Sequence, residues 1–112
     1  MLEISWEDFE KVDVRAGTVV EAKPFPEARK PSMKLVVDFG PEVGTKKTSA
    51  QLTAHYEPEG LVGRQVIAVV NFPPKRIAGF ESEVLVLGVP DDNDEVVLLA
   101  PDLRVPPGGR MF

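Results

Sequence analysis

The chain has no cysteine and a single histidine among its 112 residues. That excludes disulfides, thiolate zinc sites and cysteine nucleophiles, and leaves no basis for a histidine-built metal centre. No cofactor is expected. An excess of basic residues is missing too: 13 lysines and arginines stand against 18 acids, a formal net charge of −5, whereas most general nucleic-acid binders are basic overall. No apolar run approaches the roughly 18 residues of a membrane span, and Met1 to Ser5 lacks the basic start and apolar stretch of a secretory signal. We therefore expect a cytoplasmic protein that does not insert into membranes. A helical bundle is disfavoured by 11 prolines and 9 glycines, which suit short strands joined by turns. The length points to one domain over residues 1–112, and surface scaling gives it about 6,000 Å² of exposed surface when folded.

What is present is a pattern. Residues 1–13 hold five acids and one base, residues 14–80 ten bases and six acids, and residues 81–112 seven acids and two bases. The middle of the chain can therefore carry a basic face while both ends are acidic; a solvated mixture of charges is the alternative.

Ser5 followed by Trp6, Glu7 and Asp8 reads as an N-cap with acids in the first turn, starting a short helix to about Lys11. From Val12 the apolar period becomes two. Val12, Val14, Ala16, Thr18, Val20 and Ala22 predict one buried face of a long strand, with Gly17 as its bulge or bend. Further strands are expected at 33–39, 46–51, 65–72 and 82–89, with Leu35, Val37 and Phe39 inward and Phe72 buried. Residues 40–44 and 91–95 read as turns, 75–81 as a basic loop around Gly79, and the Pro106-Pro107-Gly108-Gly109 tail as irregular. Five main strands, a long curved first strand and a link between strands three and four predict an all-β, five-stranded Greek-key barrel of the OB type, with a short N-terminal helix and a C-terminal extension.

Catalytic constellations are missing. His55 has no serine or carboxylate beside it in sequence to suggest a triad. Asp91-Asp92-Asn93-Asp94-Glu95 lacks the glycine and distal glutamate of a calcium loop, and Gly44-Thr45-Lys46-Lys47 lacks the first glycine of a phosphate-binding loop. A non-catalytic interaction module remains. In an OB barrel the ligand cleft lies on strands two and three and the loops joining strands one to two and four to five. Arg29, Lys30 and Lys34 fall in the first of these regions, Lys47, Ser49 and Gln51 on strand three, and Lys75 and Arg76 in the second loop. The bases can neutralise phosphates, while Ser49, Asn71 and Ser82 can position a nucleotide by hydrogen bonds. Few aromatics are free to stack bases, which favours recognition of folded RNA shape and backbone. Ordinary charge around a barrel rim is the alternative.

Several spaced motifs carry a resemblance. Phe9-Glu-Lys-Val-Asp13-Val-Arg15-Ala-Gly17, Lys47-Thr-Ser49-Ala-Gln51, Val66-Ile-Ala-Val-Val-Asn71-Phe-Pro-Pro and Ile77-Ala-Gly79-Phe-Glu-Ser82-Glu83-Val-Leu-Val-Leu-Gly88 are together similar to the tRNA-binding domain family. The last two, with Phe72-Pro73-Pro74-Lys75-Arg76, resemble its CsaA-type branch, described as an export-related chaperone. Where many members carry Ser-x-Gly-Met, this chain has Ser82-Glu83-Val84-Leu85, and an acid at 83 disfavours a tRNA phosphate. The resemblance implies an OB-fold homodimer joined by its N- and C-terminal extensions. Trp6, Phe9, Leu103, Val105, Met111 and Phe112 are the residues expected at that interface. It further implies that the cleft takes unfolded or precursor polypeptides, with an export machinery as a possible partner, or alternatively tRNA.

Overall fold

The computed structural model describes all of residues 1–112. Helix α1, Trp6–Glu10, begins at Ser5 with a reciprocal cap: the Asp8 N–H donates to Ser5 Oγ and the Ser5 N–H to Asp8 Oδ2, each at 3.1 Å. No residue of this helix is buried. Strand β1, Val14–Pro24, follows, then β2 (Met33–Asp38), the single turn α2 (Gly40–Val43), β3 (Thr45–Ala50), the short α3 (Pro58–Leu61) and β4 (Gln65–Val69). Strands β5 (Lys75–Ile77), β6 (Phe80–Ser82), β7 (Leu85–Val86), β8 (Gly88–Pro90) and β9 (Val96–Leu98) complete the chain.

The long first strand serves two partners in turn. Its first half pairs antiparallel with β4 from Val14↔Val69 to Thr18↔Gln65, and its second with β2 from Thr18↔Asp38 to Pro24↔Met33. The sheet order is β3-β2-β1-β4-β7. Glu83 then reaches across the open side, its N–H donating to the Lys47 carbonyl at 2.9 Å, so the sheet nearly closes on itself. This is the five-stranded barrel of the OB type. Leu35, Val37 and Phe39 point inward as the alternation predicts, joined by Val19, Leu61, Val66 and Ala68.

The bulge lies elsewhere than predicted. Register slips between Val19 and Glu21, which makes Val20 the extra residue; the inward phase has already shifted by Val19, which is buried, while Val20 is exposed and Ala22, beyond the bulge, packs against the core as predicted. Gly17 has a different task. A Cβ there would lie 2.6 Å from both Phe39 Cε1 and Val37 Cγ1, so the absent side chain lets β2 pack across the bend. Strand β1 starts at Val14, and Val12 is exposed.

Three further expectations change. The basic loop is a hairpin, β5 paired with β6, whose turn residues Ala78 and Gly79 have φ of 46° and 80°. Two consecutive positive φ angles define the type I′ turn that matches strand twist. The single strand expected over 82–89 breaks into β7 and β8, and β8 leaves the barrel to pair with β9. Phe72 lies beyond the end of β4, just before Pro73-Pro74, and is 53% exposed rather than buried.

The tail is pinned, not irregular. Gly108 N–H donates to the Ala16 carbonyl at 2.8 Å, Ala16 N–H to the Gly109 carbonyl at 3.0 Å, and Met111 N–H to the Val14 carbonyl at 2.8 Å. It thus occupies the edge of β1 that β2 leaves free. Upstream, Gln65 grips Val105 with both ends of its amide: Nε2 donates to the Val105 carbonyl at 2.6 Å and Oε1 accepts from its N–H at 3.0 Å.

Candidate functional site

An open cavity of about 1130 Å³ lies on the surface, and half of its 20 lining residues are hydrophobic. The loop before β2, the end of β3, the β5–β6 hairpin and the segment leading into β7 enclose it. These elements bring together Arg29, Lys30, Ser49, Gln51, Lys75 and Arg76, residues spread over almost fifty positions of the chain. Phe72 and Leu85 add exposed apolar surface to the same wall. Strand β5 pairs only with β6; the backbone groups on its other edge form no hydrogen bond within the chain. Arg76 leans on Glu81, its cross-strand neighbour, at 3.4 Å. Arg29, Lys30 and Lys75 form no ion pair.

Ser82 lines the cavity but is committed to the barrel. Its Oγ accepts from the Ser49 N–H at 3.0 Å and lies 3.0 Å from Thr48 Oγ1, which donates to the Val84 carbonyl at 2.7 Å. That hydroxyl is thereby engaged within the barrel. Asn71 lies outside the cavity lining. Its Oδ1 accepts from the Asp13 N–H at 3.0 Å and its Nδ2 donates to the Lys11 carbonyl at 2.7 Å, which ties the end of β4 to the approach to β1.

Lys34 and Lys47 stand outside the cavity lining, on the outer face of the barrel next to Ser49. Lys34 is opposite Ser49 across β2 and β3, so Lys47, two residues earlier, is its diagonal neighbour on the same face. Both lie over aromatic rings. Lys34 Nζ is 4.6 Å from the Phe25 centroid and 5.1 Å from that of Phe80, and Lys47 Nζ is 5.5 Å from Phe80. Phe25 and Phe80 meet edge to face at 5.4 Å. Sequence reasoning missed this pair; the signal was the Ala78-Gly79 turn, since a hairpin there places Phe80 and Ser82 on one side, toward β3.

Glu83 holds the barrel seam. Beyond the main-chain bond already described, its Oε1 accepts from the Lys47 N–H at 3.0 Å, so one residue serves both backbone groups of Lys47.

Away from the cavity, the Arg15 guanidinium is 2.6 Å from Asp13 Oδ1 and 3.1 Å from Glu42, and also donates to the Gly108 carbonyl at 3.0 Å. The hydrogen bond from Arg15 is the main reason the Asp13 carboxyl titrates below the usual carboxylate range. His55 Nε2 and Asp91 Oδ2 are 2.6 Å apart. Asp91 is held low chiefly by the N–H groups of Glu95 and Asn93, which bond its Oδ1 and shape the acidic turn. Trp6, Leu103, Val105, Met111 and Phe112 are exposed, and Phe9 is half-buried against Trp6, the rings 5.4 Å apart. No helix is long and apolar enough to cross a membrane.

Comparison with known proteins agrees with this geometry. The model of the family described as "Putative tRNA binding domain" matches residues 14–110. The crystal structure of the chaperone CsaA from Bacillus anthracis is 53% identical, with a TM-score of 0.91 over 99% of this chain and 100% of that one. The CsaA chaperone of Picrophilus torridus is 46% identical at the same TM-score, over 98% of this chain and 100% of that one. Among curated proteins, the methionine–tRNA ligase of Porphyromonas gingivalis is 36% identical over 97% of this chain, and that of Pyrococcus horikoshii 40% identical over 96%. The chain spans only 16% and 14% of the lengths of those two ligases.

Proposed function

Because the chain belongs to the tRNA-binding domain family, we propose that it is a non-catalytic homodimeric chaperone of the CsaA type, holding extended unfolded or precursor polypeptides in its cavity. The observation that carries this reading is the cavity itself. It is half apolar in its lining, rimmed by Arg29, Lys30, Lys75 and Arg76, and bordered by the unpaired edge of β5. An extended peptide added to such an edge gains main-chain hydrogen bonds, while neighbouring pockets take alternate side chains. Similarity to two CsaA chaperones over nearly the whole chain supports it. Delivery of clients to an export machinery, from a cytoplasmic location, is the cellular use this reading implies. The exposed apolar residues of the two termini supply the surface for pairing two chains.

A second reading, recognition of tRNA shape and backbone, is favoured by a different observation. Lys34 and Lys47 form no ion pair with any carboxylate and project from the face beside the cavity, as phosphate contacts require.

Replacing Lys75 and Arg76 together with alanine, and assaying both activities in parallel, tests the assignment. Protection of a denatured client from aggregation at equimolar dimer is expected to fall sharply in the double variant. Binding of tRNA is expected to weaken less and to keep a steep decline with salt, since released counterions drive it. No protection by the unaltered protein overturns the chaperone reading; absent or salt-insensitive tRNA binding overturns the second.

A further inference from the structure

We infer that Phe80 is a positioning residue that organises Lys34 and Lys47 into a two-lysine clamp for one backbone phosphate, on the outer face of β2 and β3. The inference deepens the tRNA-binding reading and rests on it. Two ammonium groups on adjacent strands repel each other, and each sits on a flexible four-carbon stem that loses rotamer freedom when a ligand fixes it. Left to themselves they would swing apart into solvent. Here both lie within 5.5 Å of the Phe80 centroid. The negative face of an aromatic ring attracts cations, so one ring offsets the mutual repulsion and holds both groups on the same patch. Phe25, itself buried, fixes Phe80 from the side and carries Lys34 as well.

A phosphodiester presents two non-bridging oxygens of shared negative charge, and two ammonium donors held on one face can take one each. A carboxylate already sits nearby, but the Glu83 oxygen is engaged by the Lys47 backbone N–H, not by either ammonium. The clamp is distinct from the cavity, whose lining includes neither lysine. It assigns to Phe80 a role that neither its half-burial nor its packing against Phe25 requires.

Two measurements test it on the 112-residue chain. In the first, tRNA affinity is followed across a salt series for the unaltered chain, Lys34→Ala/Lys47→Ala, Phe80→Leu and Phe80→Tyr. The double lysine variant is expected to lower the slope of log affinity against log salt by about 1, the value for one phosphate. Phe80→Leu keeps apolar bulk but removes the ring; it is expected to weaken binding about three- to tenfold and to lower the slope in the same direction, with Phe80→Tyr restoring both. In the second, inorganic pyrophosphate is titrated while the side-chain NMR signals of the two lysines are observed. Movement of both together in the unaltered protein, lost in Phe80→Leu, supports the clamp whether or not tRNA binds. Absence of movement, or equal movement in Phe80→Leu, overturns it. A protein that binds no tRNA yet shows the ring-dependent pyrophosphate response retains the clamp and loses only the tRNA reading. An unchanged salt slope in Phe80→Leu, with tRNA bound, overturns the inference and leaves the tRNA reading standing.

Discussion

Asp13 and Arg15, two residues apart, form the most concentrated charge pairing of the molecule, and its consequence is a dependence on pH. The Arg15 side chain is only 12% exposed and is shared by Asp13, Glu42 and the Gly108 carbonyl, so it joins β1, α2 and the tail. Asp13 titrates below its ordinary 3.8 in the folded state. Between the two values the unfolded chain therefore binds more protons than the native one, and stability falls as pH drops through that interval. Its contribution is complete above the unfolded value and gone below the folded one. Asp13→Asn is expected to cost about 1.5–3 kcal/mol at neutral pH, the usual worth of a charged hydrogen bond. Its denaturation midpoint should also change less than that of the unaltered protein between pH 5 and pH 2; parallel acid profiles would refute the assignment. At this scale the sequence was legible where a side chain's task is local. Alternation placed Leu35, Val37 and Phe39 inward, and Ser5 was readable as a cap. Asn71 and Ser82 were not readable, because their partners at Asp13, Lys11, Thr48 and Ser49 lie 33 to 60 positions away.

Among the elements, the tail departs most from expectation, and Gln65 explains how it is held. A proline- and glycine-rich segment has no periodic signal, yet its backbone polar groups need partners once packed against a barrel. Gln65, 8% exposed, supplies two for Val105 and also donates to Thr18 Oγ1 at 3.1 Å. Gln65→Met keeps the volume and removes all three bonds. It is expected to cost about 1–3 kcal/mol and to raise native-state amide exchange of Val105 at least about tenfold, with exchange in β2 little changed. Unaltered Val105 protection would refute the clamp. The five strands and the Ser5 helix were predictable, since apolar alternation and capping are short-range signals. The broken fifth strand was not: at Gly88 an added Cβ would lie 2.6 Å from Val96 Cγ1, a close approach between β8 and β9 that alternation alone does not reveal.

For the molecule as a whole, surface area is the informative quantity. One chain exposes 7556 Å², about 1,500 Å² more than size scaling gives for 12.3 kDa. The open cavity takes part of that excess, and the exposed Ile4, Trp6, Leu103, Met111 and Phe112 take part of the rest. A standard interface removes about 800 Å² per partner, so pairing of two chains would bring the protein back toward the normal range. Light scattering at micromolar concentration is expected to give twice the mass of one chain, and Trp6→Ala/Phe112→Asp to shift it toward a single one; a monomer in the unaltered protein would refute the dimer. The convergence of six cleft residues was legible because the barrel topology dictates which loops meet. The placement of Phe80 against Lys34 and Lys47 was not, because it follows from strand parity in a hairpin read as a loop.

The pinning of residues 108–111 along β1 has a topological corollary. Arg110 donates to the Glu10 carbonyl at 2.6 Å, so the chain leaves the barrel beside the point where it enters. A bridge joining the segment after Arg110 to the one before Glu10, with new ends opened in the acidic turn, is expected to give a circular permutant with every barrel strand intact.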